Sequence, residues 1–423
     1  MNILVVGSGG REHAICHSFS LSTRVSRLIC ANGNAGIASI AECIPIGPDE
    51  IDRLADFAKS NEVDLTFIGG ETALAKGVVN VFERRGLRIV GPGQAAARLE
   101  SSKAFSKDFM ARHQVPTAAY FVAESAAEAV SALNRGVFGG ESSAVVVKAD
   151  GLAAGKGVVV AKDRREALEA ITDLEAIAGA EAASRIVLEE FLEGREVSLI
   201  MFADGEDFSL MPPTRDHKRI GEGDTGPNTG GMGTITDEGL LTPEQRETII
   251  REIVRPTLKG CVDEGFPFRG ILFLGLMMTA DGPKVLEYNV RFGDPETQSI
   301  LVRLETDLVD ICEAMLEGKL AQTEIKWRPG NSATVVLAAS GYPQSPKKGD
   351  IIRGVEDAVK EPGVTVFHSG TSVSPSGDLI TAGGRVLSIT ATGDSLDEAL
   401  DRSYGAIAKI TWAGMQFRRD IGK

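Results

Sequence analysis

The chain has 423 residues, 43% of them hydrophobic and 25% charged, with a mean hydropathy of zero. That length suggests about three domains with room for large cores, and the composition is that of a soluble globular protein. A formal net charge of −14 and a pI near 5.0 argue against a general binder of nucleic acid or acidic membranes, because such partners require a dominating positive field. The opening run Asn2-Ile3-Leu4-Val5-Val6 carries no basic, apolar, cleavable leader, and no apolar span reaches membrane length, so a cytoplasmic location is expected. Cys16, Cys30, Cys43, Cys261 and Cys312 are odd in number, widely spaced and free of C-x-x-C pairs, which indicates neither a disulfide framework nor a zinc site.

Over the first hundred residues strand-like and helical patterns alternate: NILVVG, a helix from Arg11 to Leu21, RLICAN, a helix from Ile51 to Ser60, DLTFIGG, a helix from Ala73 to Arg85, and RIVGP. This alternation predicts βαβ units around a parallel sheet. Such sheets bind ligands beyond the carboxyl ends of their strands, here Gly7-Ser8-Gly9-Gly10, Ala31-Asn32-Gly33-Asn34 and Gly69-Gly70-Glu71. The first loop fails as a dinucleotide fingerprint, because Glu12 stands where a third small residue is needed and the next strand ends in Asn32 rather than an acidic residue. Its amides at a helix N-terminus still suit an anion. His13 and His17 lie four apart without the catalytic Glu between them, and are expected to be core or surface histidines.

After Pro92 come Ser101-Ser102-Lys103 and a helical run to His113, followed from Val115 by a smaller mixed segment. There KADGLAAGKGV (148–158) joins two valine runs. It lacks the Walker spacing and terminal Ser or Thr, and its place between strands predicts a glycine-rich hairpin. Such a hairpin is able to fold over a triphosphate, with Lys156 in the loop and Lys148 as a fixed charge on the preceding strand; a flexible connector is the plainer alternative. RIVLEEFLEGREVS, some thirty residues on, sets acidic and apolar residues at a strand-end bend, as adenine and ribose require. The polar loop from Arg215 to Gly233 offers Lys218, Arg219 and many amides, which suits a phosphorylated substrate or, more plainly, a solvated charge run. In VLEYNVRFGDPETQ (285–298), Glu287, Asn289 and Arg291 alternate and so share one face of a strand. A metal ion, a phosphorylated ligand and an internal salt-bridge cluster all satisfy such a face. From about Trp327 the pattern turns β-rich, with ATVVLAASGYP, TVFHSG and GGRVLSITA, closed by a helix from Leu396 to Ile410, and a boundary falls near residue 325.

Together these motifs resemble the ATP-grasp superfamily and, within it, the phosphoribosylamine–glycine ligase family, also called glycinamide ribonucleotide synthetases. The resemblance runs through nearly the whole chain: VGSGGREHA, FIGGE, GPGQAAARLESSK, VVVKADGLAAGKGV, LEEFLEGREVS, DHKR, GDTGPNTGGMG, LEYNVRFGDPETQ, GGRVL and RRDIG. NTGGMG combined with EYNVRFGDPE is highly specific. After GGMG the family pattern continues with an aromatic residue and prolines, where this chain has Thr234-Ile-Thr-Asp-Glu238.

The resemblance implies an α/β chain with a Rossmann-like N-terminal domain (1–100), an ATP-grasp domain (101–325) carrying a small lid at about 118–190, and a β-rich C-terminal domain (326–423). It implies a carbon–nitrogen ligase that uses ATP and Mg2+ or Mn2+ to join glycine to 5-phosphoribosylamine through glycyl phosphate, in purine biosynthesis. Partners would be those small molecules, with no nucleic acid and no membrane, and the enzyme a monomer or weak homodimer. By motif, Lys103 and Lys148 would touch the ATP phosphates, Glu189, Glu190, Phe191 and Leu192 would hold adenine, and Glu196 the ribose. Glu287 and Asn289 would ligate the metal, while Arg291, with Lys148 and Lys156, would act on the transferring phosphoryl group. Gly9, Gly10, Glu71, Asp216, Lys218, Arg219, Asn228, Thr229, Gly230, Gly231, Met232 and Asp294 would bind substrate. Two rivals are another ATP-grasp ligase with a different acid substrate, and a nucleotide-binding regulatory module without turnover.

Overall fold

The computed structural model describes residues 1–152 and 157–423; Lys156, expected at the phosphoryl group, lies outside the described residues. The first hundred residues form a five-stranded parallel sheet in the order Glu42–Ile44, Arg27–Asn32, Asn2–Gly7, Leu65–Ile68, Ile89–Val90. A parallel sheet is covered on both faces, which is why its strands are continuous apolar runs; Ile3, Leu4, Val5 and Val6 are at most 1% exposed. Strand order reverses beside Asn2–Gly7, so its carboxyl end opens a crevice, and the turn Gly7–Gly10 stands there. The helix expected from Ala73 to Arg85 forms as two, Glu71–Ala75 and Val78–Arg84. Gly77 between them sits at φ +81°, a left-handed conformation that a continuous helix does not contain.

Tyr120–Ala123, Ile186–Glu190, Val145–Ala149 and Val158–Ala161 form, in that order, a four-stranded antiparallel sheet. The strands flanking the glycine-rich segment therefore pair with each other, as expected. Helices Ala126–Asn134 and Arg164–Ala178 pack against this sheet, and each starts at a side-chain cap, Ser125 and Asp163.

The remaining large sheet is antiparallel and nine-stranded. From its edge run Gly282–Asn289, Arg269–Thr279, Arg195–Asp204, Thr214–Asp216, Gly233–Thr236, Asn331–Ala338, Arg385–Gly393 and Val364–His368, with Phe208–Leu210 also paired to Arg195–Asp204. Gly233–Thr236 pairs with Asn331–Ala338, so one sheet joins strands from both sides of the boundary expected near residue 325. The expected polar loop from Arg215 to Gly233 is largely strand: Arg219–Gly221 pairs with Thr225–Asn228, turning through Gly223 at φ +65° and Asp224 at φ +51°. The run after GGMG continues as buried strand because its hydroxyls are satisfied, Thr234 Oγ1 donating to the Arg215 carbonyl (3.1 Å) and Thr236 Oγ1 to Ser299 Oγ (2.9 Å). The closing helix spans Leu396–Ile407, three residues shorter than expected. Among the described residues no helix is long and apolar enough to cross a membrane.

Candidate active site

A cleft of about 830 Å³ is lined by residues from the helices near Lys103, the four-stranded sheet, the 215–230 hairpin region and the strand Gly282–Asn289. Glu287, Asn289 and Arg291 all line it, while Tyr288 and Val290 between them are each only 2% exposed. The alternation read from the sequence therefore holds, although the strand ends at Asn289 and its register slips by a bulge beside Glu287. Arg291 is anchored on all sides. Its Nη2 donates to Glu100 Oε1 (2.7 Å) and Asn289 Oδ1 (2.9 Å), its Nε to Glu71 Oε2 (3.3 Å) and its Nη1 to the Phe292 carbonyl (3.1 Å). A salt-bridge cluster is thus present, and it centres on Arg291 rather than on Glu287. Burial alone would raise the Glu287 carboxyl, but Lys218, Lys148, Lys103 and Arg291 outweigh it and hold it below the usual carboxylate range.

Glu287 and Asn289 fit a hard divalent cation, being oxygen donors on one wall of a cleft rich in cations for phosphate. Among the described residues no three His, Cys, Asp or Glu side chains gather as a metal cage. Mg2+ does not need one, since it is usually held by one or two carboxylates, water and substrate phosphates.

Also lining the cleft, Glu189 is the hub of a buried ion triad. Lys148 Nζ lies 2.7 Å from its Oε1 and Lys107 Nζ 2.9 Å from its Oε2; Glu189 and Lys107 are each 2% exposed. Lys148 also donates to the Leu286 carbonyl (3.2 Å), fixing the ammonium over the strand that carries Glu287. Glu189, expected at adenine, lines the cleft with its main chain paired to strands on both sides and its carboxylate held by two lysines. Phe191, 43% exposed, and Leu192 follow the strand end and, with Glu190, line the cleft as an apolar and polar wall. Lys103 opens the helix Lys103–Arg112 and donates to the Gly151 carbonyl (3.1 Å), while Asp150 accepts from the Ala104 amide (2.7 Å), so the KADG stretch seats this lysine. Glu196 is ion-paired with Lys218 at 2.8 Å, which joins an expected ribose ligand to an expected phosphate ligand.

Lys107 yields a pH prediction. Burial, and then the repulsion of Lys148, pushes its ammonium from an ordinary 10.5 down to about 8. The unfolded chain then binds this proton more tightly than the folded one, so stability from this group rises between about pH 8 and pH 10.5. Urea denaturation at pH 8, 9 and 10 should show wild type gaining on Lys107→Met by at most about 1.4 kcal/mol per pH unit.

A second cavity of about 260 Å³ adjoins the Gly7–Gly10 turn and is lined by Gly9, Arg11, Glu12, Glu71 and Asp294 among others. The sequence suggested that Gly9 would offer its amide to an anion, but that N–H is already donated to Glu12 Oε2 (2.6 Å). Carboxylates dominate here, which suits sugar hydroxyls and an amine better than phosphate. Asp294 accepts from Gln298 Nε2 (2.8 Å) and faces Arg385 Nη2 (3.2 Å). Arg385 also donates to the Asp294 carbonyl (2.6 Å) and to that of Gly230. Asp216 lines the large cleft beside Lys218, Arg219, Asn228, Thr229 and Gly230; burial and the nearby Glu296 carboxyl push it well above the usual carboxylate range. Three expected ligands stand back from both cavities. Gly10 is packed under Gln298 and Ser369, Gly231 is wedged against Pro295 and Asp216, and Met232 is 0% exposed with its main chain bonded to His217 and Val336.

Sequence reasoning passed over Glu100, Lys107, Arg11, Glu296 and Arg385, all of which line the cleft. Arg11 and Arg385 sat inside the quoted motifs GGREHA and GGRVL, which was a usable signal. Glu100 and Glu296 likewise sat inside GPGQAAARLESSK and LEYNVRFGDPETQ, whereas Lys107 lay in no quoted motif and its partner Glu189 is 82 residues away in the chain.

A four-stranded antiparallel sheet beside a cleft walled by fixed lysines and by a Glu-x-Asn-x-Arg strand end defines an ATP-grasp enzyme. Models for phosphoribosylglycinamide synthetase match the chain in three parts: the N domain over residues 1–100, the ATP-grasp (A) domain over 101–297 and the C domain over 332–423. Phosphoribosylamine–glycine ligase of Vibrio vulnificus strain CMCP6 is 49% identical across all of this chain and 98% of its own, and that of Brucella melitensis 44% across all of this chain and 97% of its own. The crystal structure of phosphoribosylamine–glycine ligase from Thermotoga maritima superposes with a TM-score of 0.85 at 32% identity over the whole of both chains. The biotin carboxylase domain of Hydrogenobacter thermophilus 2-oxoglutarate carboxylase, solved with MgADP, shares the fold at a TM-score of 0.73 and 18% identity, covering 98% of this chain and 91% of that one. The chain belongs to the phosphoribosylamine–glycine ligase family.

Proposed function

We propose that the protein joins glycine to 5-phosphoribosylamine at the expense of ATP, releasing glycinamide ribonucleotide, ADP and phosphate. The observation that carries this reading is the continuity of the two cavities: Glu71, Arg11 and Asp294 line both, so a nucleotide end and a sugar end share one wall. A carboxylate is a poor electrophile, so one glycine oxygen first attacks the γ-phosphorus of ATP and ADP leaves. The amine of phosphoribosylamine then attacks the carbonyl carbon of glycyl phosphate, phosphate leaves, and the nitrogen loses its proton. Phosphoryl transfer asks for in-line positioning and charge neutralisation more than covalent help. Lys103 and Lys148 supply fixed positive charge at the phosphates, and Arg291, held by two carboxylates, adds its charge and its one unspent Nη1 hydrogen. Glu287 and Asn289 would hold Mg2+ or Mn2+, which neutralises the phosphate charge when bound. The reading includes a cytoplasmic enzyme acting as a monomer or weak homodimer.

The test is ADP release with glycine and freshly made phosphoribosylamine added singly and together. Turnover requiring both supports the assignment; stimulation by a different acid in place of glycine would move the protein to another ligase activity. Arg219 spends one N–H on the Gly226 carbonyl (2.7 Å) and lines the cleft, which suits the substrate phosphate. Arg219→Ala should raise KM for phosphoribosylamine by about 1.5–3 kcal/mol, roughly 10- to 150-fold. A raised KM for ATP instead would place Arg219 at the nucleotide.

A further inference from the structure

The turn Gly7–Gly10 is tied to a segment some 360 residues later through one side chain. Asn34, in the loop after the strand Arg27–Asn32, donates from Nδ2 to the Ser8 carbonyl (2.9 Å) and to the His368 carbonyl (2.8 Å). Its Oδ1 accepts from the amides of Gly36 (2.9 Å) and Ile37 (3.0 Å). An amide has two donor hydrogens and two acceptor lone pairs, so the side chain is saturated. A second bond runs beside it, from the His368 amide to His13 Nδ1 (2.8 Å), on the helix that the turn begins. Burial, with His368 and His17 nearby, pushes His13 down to about 3, so the ring stays neutral and Nδ1 remains an acceptor. The packing leaves no slack: a Cβ on Gly36 would lie 2.4 Å from the His368 ring, and one on Gly10 would lie 2.6 Å from Ser369 Oγ.

We propose that Asn34 is a positioning residue that sets the Gly7–Gly10 turn against the His368–Ser369 segment, and through that turn sets the affinity for the sugar substrate. This rests on reading the turn cavity as the place of phosphoribosylamine. Asn34 lines neither cavity, so any effect on substrate passes through the turn. The turn carries Gly9 on the cavity wall, leads into the helix whose Arg11 also lines it, and hangs from Ser8, whose carbonyl Asn34 grips. Without that grip the wall is free to shift relative to Asp294, the carboxylate that faces it.

Asn34→Asp tests the idea selectively. The aspartate keeps both acceptor bonds to Gly36 and Ile37 but sets a carboxylate oxygen against two carbonyls where a donor stood. KM for phosphoribosylamine should rise roughly ten- to a hundredfold, the loss of two neutral bonds, with KM for ATP and for glycine within about twofold of wild type and kcat largely kept. A merely structural role predicts a lower melting temperature with all three KM values unchanged, and that outcome, or an equal rise in all three, overturns the proposal. Should the variant not fold, hydrogen exchange on the wild-type protein with ribose 5-phosphate decides the matter. Slowed exchange in both the Gly7–Gly10 and the Val366–Ser369 peptides supports the coupling, and slowing in the turn alone overturns it. Wild type that releases no ADP in response to phosphoribosylamine would sink the site reading itself, which is distinguishable from an active wild type with an indifferent Asn34→Asp.

Discussion

Glu287→Gln is expected to lower kcat by on the order of 10²–10³, the usual cost of one preorganised electrostatic element. The amide keeps the shape and the oxygen but removes the negative charge that would draw a divalent cation to this wall. Weakened metal binding makes the defect partly recoverable at high Mg2+, so kcat should be measured across a magnesium titration. Considered from the strand alone, losing one charge from an acidic stretch would relieve repulsion and steady the fold. The tertiary arrangement reverses that sign. Lys218, Lys148, Lys103 and Arg291 converge on Glu287, so glutamine leaves four cations less compensated and the melting temperature should fall in the absence of nucleotide. A variant with wild-type turnover at every magnesium concentration would refute the metal assignment, whatever its melting temperature.

Arg291→Met should fail twice, in catalysis and in folding. Methionine keeps much of the apolar stem but removes the fork that bonds Glu100, Glu71, Asn289 and the Phe292 carbonyl. Glu100 is buried, and burial already raises its carboxyl while Arg291 opposes the rise. Removing one partner of a buried pair typically costs about 3–5 kcal/mol because the other charge is left without compensation, and urea denaturation should show a loss of that order. Adding Glu100→Gln removes the stranded charge, and the pair should recover most of the stability, since residues in contact couple strongly. Activity should not return in the double variant, because neutral side chains do not stabilise charge on a transferring phosphoryl group. Recovery of both together would make Arg291 a purely structural residue. Arg291→Lys is expected to remain impaired as well, since a point ammonium does not reproduce a planar fork.

The sequence by itself determined the elements and most of the motifs. Period-two alternation set Glu287, Asn289 and Arg291 on one face, and apolar runs broken by glycine turns marked the parallel sheet and the carboxyl ends where its ligand crevice opens. Those signals are local: they depend on which side chains a strand or turn can present, and the residues needed to read them lie within a few positions of one another. The partners of each charge were decided only by the tertiary structure. Glu189 lies near a strand end in the motif whose resemblance implies adenine binding, and the helix carrying Lys107 packed beneath it to make it the centre of an ion triad. The Gly9 amide looked free because glycine turns expose their amides, yet Glu12 three residues later turned back to occupy it. Met232 belonged to a specific motif but faces the core, since a strand's neighbours rather than its sequence choose which face is covered. Asn34 was marked only as part of a strand-end turn, and its partners were decided where residues 8, 34 and 368 meet. Burial makes such meetings costly to leave unsatisfied, and no pattern along the chain records which distant group will satisfy them.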